Sequence, residues 1–354
     1  MSLLVDKHRP KDLTQLTYHY DLTKRLEALA QSPDFPHLLI YGPSGAGKKT
    51  RINCTLRALY GPSVSKIRID SRQFVTSSNR KLDFTIASSN QHLEITPADV
   101  GPHDRVIVQD LLKEVAQTQS VDLSARHRFK VVVVNEAEYL SREAQAALRR
   151  TMEKYSGNVR MILVANSTAN IIAPIRSRCL LVRVAAPTGE DVVGVLKEVG
   201  RKEGWKESGG LNERIAGECG RNLRRALLMF EAVYAQNETV TDTTPIPPPD
   251  WEAFIEQIAA DIVAERSPQQ IMVVRGKLYD LLVHCIPATQ VIKSLAFRLI
   301  PKVAPELRPE VIKWAAFYEH RVKMGSKQIF HLEAFVTKVM RLIESHMMGI
   351  DIDF

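Results

Sequence analysis

A glycine-rich run near the start of the chain restricts the possible folds strongly: Gly42, Pro43, Ser44, Gly45, Ala46, Gly47, Lys48 and Lys49. It follows the apolar run Leu38–Tyr41 and precedes a segment whose apolar residues recur at helical spacing. A strand, a glycine loop and a helix in this order are typical of a phosphate-binding P-loop, because the loop N–H groups and the helix N-terminus point at the anion. We therefore expect Lys48 to reach the phosphates of a nucleotide; the alternative is a glycine-rich turn without a ligand.

The residue after Lys48 departs from the P-loop pattern. A hydrolysing P-loop has Ser or Thr there, whose hydroxyl binds Mg²⁺. This chain has Lys49, whose ammonium has no lone pair to offer and repels the ion. Thr50 comes next, but one residue further along a helix turns it by about 100°, away from the metal position. We expect the loop, Thr50 included, to bind phosphates but to bind Mg²⁺ weakly or not at all.

A second anchor is the run Val131–Val134, which predicts a central strand of a parallel sheet that is buried on both faces. It is followed by Asn135, Glu136 and, after Ala137, Glu138. Acidic residues that leave such a strand beside a P-loop form a Walker B site, in which an Asp binds Mg²⁺ and the next Glu orients the attacking water. Here the neutral Asn135 stands at the metal position, and Glu136 remains. The alternative is that these residues only end the strand.

The remaining pattern predicts a doubly wound α/β domain followed by helices. Strands are expected at 66–70 and 161–165, with a polar stretch and an inserted hairpin near 71–91. Asn166 ends the second strand, where it can bind the γ-phosphate or merely cap a loop. The predicted divisions are residues 1–187 for the α/β domain, 188–240 for a helical lid, 241–250 for a Pro-rich linker and 251–354 for an all-helical domain.

Composition limits the class of protein and its partners. The net charge is +8 with a pI of about 9.3, which makes an anionic partner such as nucleic acid plausible. Four widely spaced cysteines without a C-x-x-C pair argue for a reducing compartment and against structural zinc. We expect a soluble intracellular protein, because neither a signal peptide nor an apolar run long enough to span a membrane occurs.

From Leu3 to about residue 345, the motifs together resemble the small subunits of the eukaryotic clamp loader, replication factor C. Residues 5–10 resemble the family's N-terminal V-[DE]-K-Y-R-P box, with His8 where Tyr is usual. Residues 135–138 stand where the family has D-E-A-D, and residues 147–153 match its A-L-R-R-T-M-E helix. The resemblance implies an AAA+ module, a helical lid and a helical collar.

The same resemblance assigns roles to single residues. It implies that Val5, Arg9 and Pro10 pack on the adenine, that Asn166 is sensor 1 and that Arg224 is the sensor 2 arginine of the lid. Ser177-Arg178-Cys179 resembles the S-R-C signature, whose arginine is the finger offered to a neighbouring subunit. Arg105 resembles the arginine of the family's D-[DE]-R-G-I element and is a candidate DNA contact; the alternative is a solvated arginine at a helix start.

Lys49, Asn135 and the hairpin resemble the non-hydrolysing small subunit at one end of the clamp-loader pentamer, so that Glu136 is vestigial. The resemblance implies a nuclear, ATP- or ADP-binding subunit of a hetero-pentamer, and of alternative clamp-loader complexes, that loads the sliding clamp onto primer–template DNA. Two other functions stay open. One is an independent AAA+ ATPase such as a helicase loader or remodeller, against which Lys49 and Asn135 speak. The other is an assembly protein with a relic P-loop, against which Gly42, Gly47 and Lys48 speak.

Overall fold

The structure is a computed structural model that describes residues 2–75, 81–117, 129–205, 209–237 and 239–349. The chain divides into two compact units, Met1–Ile246 and Pro247–Phe354, and the division falls within the Pro-rich segment. Part of the predicted polar stretch, residues 76–80, lies outside the described residues.

The first unit contains one sheet, whose order is β2-β3-β4-β5-β6-β1-β7. In the described residues its strands are β1 (Leu38–Tyr41), β2 (Arg68–Val75), β3 (Lys81–Ser88), β4 (His92–Ile95), β5 (Lys130–Val134), β6 (Val159–Ala165) and β7 (Leu180–Arg183). The five neighbouring strands β4, β5, β6, β1 and β7 are parallel to one another, whereas β2 and β3 add an antiparallel hairpin at one edge. The carboxyl ends of β1, β5 and β6 therefore meet at one edge of the sheet.

The hairpin corrects one predicted boundary. The strand expected at 66–70 instead runs from Arg68 to Val75, through the stretch predicted to be merely polar. Ser71 and Gln73 are exposed and pair in register with Thr85 and Asp83 of β3. Polar residues are compatible with a strand here because β2 is an edge strand with solvent-exposed side chains.

Helices surround this sheet and continue after it. In the first unit the described helices are α1 (Leu4–Lys7), α2 (Tyr20–Gln31), α3 (Lys48–Tyr60), α4 (Asp104–Gln117), α5 (Arg142–Lys154), α6 (Ala173–Arg176), α7 (Gly189–Glu203), α8 (Gly209–Glu218) and α9 (Leu223–Gln236). In the second unit they are α10 (Asp250–Ala264), α11 (Pro268–Val283), α12 (Ala288–Leu299), α13 (Arg308–Met324) and α14 (Gln328–Met347). Short 3₁₀ turns lie at Leu13–Gln15, Pro62–Ser65, Pro97–His103, Ala137–Tyr139, Ile300–Lys302 and Pro305–Leu307.

Both faces of the sheet are buried, as the apolar run in β5 predicts. Val132 and Val134 pack on one face with apolar residues of α4 and α5. Val131 and Val133 pack on the other face with apolar residues of α2 and α3. Because successive side chains of a strand point to opposite faces, a strand covered on both sides must be apolar throughout. The predicted doubly wound α/β fold is confirmed, with the antiparallel hairpin at one edge of the sheet.

Helices α7, α8 and α9 form a separate apolar cluster that also includes Leu4 of α1. The Leu4 N–H donates a hydrogen bond to Glu231 Oε2 of α9 at 3.1 Å, which ties the N-terminal arm to these helices. In the second unit, α10 to α14 bury one apolar cluster of their own. No helix in the described ranges is long and apolar enough to cross a membrane.

Candidate nucleotide-binding site

A cavity of about 460 Å³ opens at the carboxyl ends of the parallel strands in the first unit. This volume is in the range that small-molecule and cofactor sites occupy. The P-loop, the ends of β5 and β6, the N-terminal arm and the helices α7 and α9 contribute to its wall. Of the residues predicted from sequence, it is lined by Val5, Arg9, Pro10, Ser44, Gly45, Gly47, Lys48, Lys49, Thr50, Glu136, Asn166 and Arg224. Thr50 reaches the cavity because the first turn of α3 lies directly along it.

Gly42 and Gly45 show why the P-loop backbone needs glycine where it approaches other segments closely. A Cβ at Gly42 would lie 1.9 Å from the Val184 carbonyl oxygen, and one at Gly45 would lie 1.7 Å from Asn222 Oδ1. Gly45 also has a φ of 75°, in the left-handed region that favours glycine. Helix α3 then begins at Lys48 without a side-chain cap, so its first N–H groups face the loop. This arrangement is suited to an anionic ligand.

Lys48 lies inside the loop and reaches the end of β6. Its Nζ donates hydrogen bonds to the carbonyl oxygens of Gly42 at 2.6 Å and Pro43 at 2.9 Å, and to Asn166 Oδ1 at 2.9 Å. Burial lowers the pKa of Lys48; the charge of Glu138 opposes this shift and that of Arg224 adds to it. The Lys48 ammonium is therefore held at the strand ends by three oxygens of the chain itself.

Asn166 is fixed in orientation by Glu138. The Asn166 N–H and side-chain Nδ2 both donate to Glu138 Oε1, at 3.0 and 2.7 Å. This leaves Asn166 Oδ1 directed at Lys48. Glu138 is 8% exposed, and its Oε2 has no hydrogen-bond partner among the described residues. Sequence reasoning placed Glu138 in the Walker B segment but missed this role, which its spacing from β5 does not reveal.

The predicted metal position is occupied by a cluster of protein groups. Lys49 Nζ lies 2.6 Å from Glu94 Oε1, and Asn135 Nδ2 donates to the same oxygen at 2.9 Å. Burial acts to raise the pKa of Glu94, but the hydrogen bonds from Lys49 and Asn135 and the Lys49 charge outweigh it, so this pKa is lowered. An ammonium and a donating amide are not magnesium ligands. These residues do not fit Mg²⁺, and the described part of the chain holds no group of three His, Cys, Asp or Glu side chains that could bind a metal.

Glu136 lies at the mouth of the site. Its φ of 52° is in the left-handed region, where it precedes the turn Ala137–Tyr139. Partial burial raises its pKa, and the neighbouring charges of Glu138 and Asp99 add to the shift. Glu136 lines the cavity, but no carboxylate stands beside it at position 135.

The N-terminal arm and the helices after the sheet close the cavity on another side. His8 Nε2 contacts Glu203 of α7, and Lys7 Nζ lies 2.6 Å from the same carboxylate. His8, at the position where the sequence resemblance expects Tyr, makes this contact with α7 through its ring nitrogen. No sequence signal predicts this contact, because the two residues are far apart in the chain.

Two predicted arginines lie away from the cavity. Arg178 forms an ion pair with Glu153 of α5 and donates to the Pro174 carbonyl oxygen at 2.8 Å. Arg105 lies at the start of α4, 52% exposed, with an ion pair to Glu143 at 3.0 Å. Both are therefore available at the surface of the first unit rather than at its own nucleotide site.

Comparison with protein families gives three matches along the chain. Residues 19–188 match the family described as DNA polymerase III, delta subunit. Residues 194–235 match the RCF1/5-like AAA+ ATPase lid domain, and residues 251–347 match the C-terminal domain of replication factor C subunit 3.

Individual relatives match over almost the full length. The chain is 68% identical to replication factor C subunit 5 of Neurospora crassa, covering 99% of this chain and 100% of the relative. It is 49% identical to human replication factor C subunit 3, with 98% of each covered, and 46% identical to subunit 5 of Saccharomyces cerevisiae, with 96% and 99% covered. Among solved structures, a point variant of Thermotoga maritima RuvB superposes with a TM-score of 0.50 at 13% identity over 78% of this chain and 87% of RuvB. That likeness concerns the fold alone.

Proposed function

Because the chain belongs to the family of replication factor C small subunits, we propose that it is a clamp-loader subunit that binds adenine nucleotide without hydrolysing it. In this role it joins a hetero-pentamer, and alternative clamp-loader complexes, with other replication factor C subunits. The assembled complex loads the sliding clamp, proliferating cell nuclear antigen, onto primer–template DNA in the nucleus. The chain contributes a binding site for adenine nucleotide and the finger Arg178, but no hydrolytic site of its own.

The observation that carries this proposal is the shared contact of Lys49 and Asn135 with Glu94. In P-loop enzymes, Mg²⁺ held by a Ser or Thr and an Asp neutralises charge that develops on the γ-phosphate. Here Asn135 stands at the Asp position and donates a hydrogen bond, and Lys49 stands at the Ser or Thr position and carries a positive charge. Glu136 alone orients water but does not neutralise the phosphate, so hydrolysis in this site is expected to be lost.

Nucleotide binding is supported by the parts of the site that are intact. The close approaches at Gly42 and Gly45, the uncapped start of α3 and the position of Lys48 suit phosphates. Val5 and Pro10 line the cavity on the arm side, where they offer apolar surface to adenine. ADP binds with the same groups as ATP, since the loop contacts the phosphates that both share.

Arg178 supports a role in trans. Its guanidinium lies at the surface beside Ser177 and away from the residues that line the chain's own cavity. An arginine finger completes a neighbour's site by stabilising charge on the transferred phosphate. Arg105 supports contact with DNA phosphates, which require positive charge but no base recognition.

The proposal is tested with the full-length chain and with the complex purified through it. We expect the chain to bind ADP with similar affinity in excess Mg²⁺ and in EDTA, and to show no steady-state ATP hydrolysis. Lys48→Ala should weaken ADP binding by about tenfold or more, or at least about 1.4 kcal/mol, yet change the ATPase of the complex only modestly. Lys24→Ala, in the exposed part of α2, is the charge-matched control.

The alternatives give different results in the same experiments. Steady-state turnover by the isolated chain would indicate an independent AAA+ ATPase such as a helicase loader or remodeller. Absence of nucleotide binding, together with normal assembly, would indicate an assembly protein in which the P-loop is a relic.

A further inference from the structure

We propose that Glu94 is the residue that makes this nucleotide site independent of divalent metal. Its carboxylate binds the Lys49 ammonium and the Asn135 amide together, so that a cation of the chain itself stands where a P-loop enzyme binds Mg²⁺. Glu94 is a positioning residue, and the inference rests on the proposed binding of nucleotide in this cavity. The residues known from motifs, Lys49 and Asn135, explain only that metal is lost; Glu94 explains what replaces it.

The register of the sheet places Glu94 beside Lys49 and Asn135. β4 and β5 are parallel, with Glu94 paired to Val133 and Ile95 to Val134. Asn135 lies two residues after Val133 and therefore points to the same face as Glu94, and the Asn135 N–H extends the ladder to the Ile95 carbonyl at 2.8 Å. Val133 packs with the cluster that includes α3. The face that carries Glu94 is thus the face on which Lys49, in the first turn of α3, is placed.

The charges in the cluster balance. The Glu94 side chain is 11% exposed, and a carboxylate so little solvated needs a cation or strong donors. Lys49 supplies the charge and Asn135 a second donor, both to Oε1. An aspartate at position 135 would face Glu94 with a second negative charge, so an amide at this position and a lysine at position 49 are both required by the same carboxylate.

The consequence concerns how the site meets phosphate. Lys49 is 47% exposed and lines the cavity, so its ammonium is oriented by Glu94 yet open to a ligand. It offers an ammonium donor beside Lys48 without a solvated ion having to be captured. Removing Lys49 while keeping Glu94 exposes a carboxylate at the metal position, and this converts the site into one that responds to Mg²⁺.

The first test measures ADP affinity of the full-length chain in excess Mg²⁺ and in EDTA for three proteins. The wild type should show a ratio near one. Lys49→Thr should bind ADP roughly fivefold or more tightly with Mg²⁺, about 1 kcal/mol, because the new hydroxyl and the released Glu94 carboxylate bind the ion. Lys49→Thr with Glu94→Gln should return the ratio to near one. Retention of the Mg²⁺ response in the double variant, or its absence in Lys49→Thr, overturns the proposal.

The second test needs no nucleotide. Lys49→Met and Glu94→Gln should each lower the melting midpoint of the nucleotide-free chain by about 2–4 °C, and the double variant should lose no more than the larger single loss. Strictly additive losses overturn the pairing. Lys277→Met, which breaks an ion pair of similar length to Asp261 in the second unit, is the charge-matched control. If the wild type binds no ADP in either buffer, the proposed function fails, and the melting experiments still decide whether Glu94 and Lys49 stabilise the chain as a pair.

Discussion

The Arg178 guanidinium forms an ion pair with the Glu153 carboxylate, and so connects the Ser-Arg-Cys turn to the last turn of α5. Both side chains are partly exposed, which makes the pair weak enough to exchange for another anion. In the proposed role in trans, that other anion is a phosphate of a neighbouring subunit's nucleotide, which carries a higher charge than a carboxylate. The ion pair therefore holds the Arg178 guanidinium in position and still allows it to bind another anion.

Arg178→Ala should lower ATP hydrolysis in the adjacent subunit of the assembled complex by about tenfold or more, since fingers contribute several orders of magnitude in related enzymes. The total ATPase rate of the complex should fall by the fraction that this one site contributes, and clamp loading should slow. Assembly and nucleotide binding by this chain should be unchanged. Native mass spectrometry and DNA-stimulated ATPase on the same preparation measure both.

Arg176→Ala removes an exposed arginine two residues earlier and serves as the matched control. If Arg178→Ala assembles fully with unchanged ATPase and loading, the finger assignment is wrong. Loss of assembly instead of rate would show that the residue acts only as an interface contact.

Restoring the metal ligands should restore metal dependence. In Lys49→Thr with Asn135→Asp, the new carboxylate at position 135 faces Glu94 without a lysine between them, so a divalent cation is needed to separate the charges. We expect ADP binding by this double variant to become dependent on Mg²⁺. Hydrolysis should appear in the assembled complex where a neighbour supplies an arginine. Titration in EDTA and in Mg²⁺ and single-turnover ATPase measure these effects; unchanged metal dependence would contradict the account of the lost site.

Arg105→Ala should weaken DNA binding by the assembled complex equally for all sequences. The plot of log affinity against log salt has a negative slope, and one lost phosphate contact makes that slope shallower by about 0.9. Glu143→Gln is an informative partner variant, because removing this carboxylate releases Arg105 from its 3.0 Å ion pair and should strengthen DNA binding slightly. Anisotropy titrations over a range of salt measure both. An effect that varies with DNA sequence would indicate base readout instead.

Protonation of Glu94 in acid should measurably lower the free energy of unfolding of the chain. Its folded pKa lies below its ordinary value of 4.5. The stabilisation is therefore present above that value and is lost as the pH falls through the lowered folded pKa. We expect Glu94→Gln to show a shallower decline below about pH 4.5, by at most about 1.4 kcal/mol per pH unit for one proton.

Urea unfolding at a series of pH values measures this difference between wild type and variant. Glu143→Gln, which removes a carboxylate that is 72% exposed, serves as the control. Parallel pH profiles for the wild type and Glu94→Gln would show that the Lys49–Glu94 contact does not stabilise the folded chain.

Local spacing alone predicted the P-loop, the central strand Val131–Val134 and the helical character of the segments after residue 188. It also placed Lys49 and Asn135 at the positions where metal ligands are usual. These features depend on residues that are close in sequence: apolar periodicity sets the element, and the residue at each motif position sets its chemistry. The bounds predicted for the strand at 66–70 were wrong, because this exposed edge strand continues through polar residues that break the apolar alternation.

Only the tertiary structure decided which groups serve these motifs. Glu94 meets Lys49 and Asn135 because of the register between β4 and β5, and because α3 packs on that face. Glu138 orients Asn166 across the ends of two strands, and His8 reaches Glu203 of α7. The alternation of polar residues in His92–Ile95 marks Glu94 as lying on one face, but the partner strand and the covering helix are set by long-range packing. Sequence therefore determined what each segment is and which residues stand at the metal-ligand positions, whereas chain folding determined which distant side chains occupy the space between those segments.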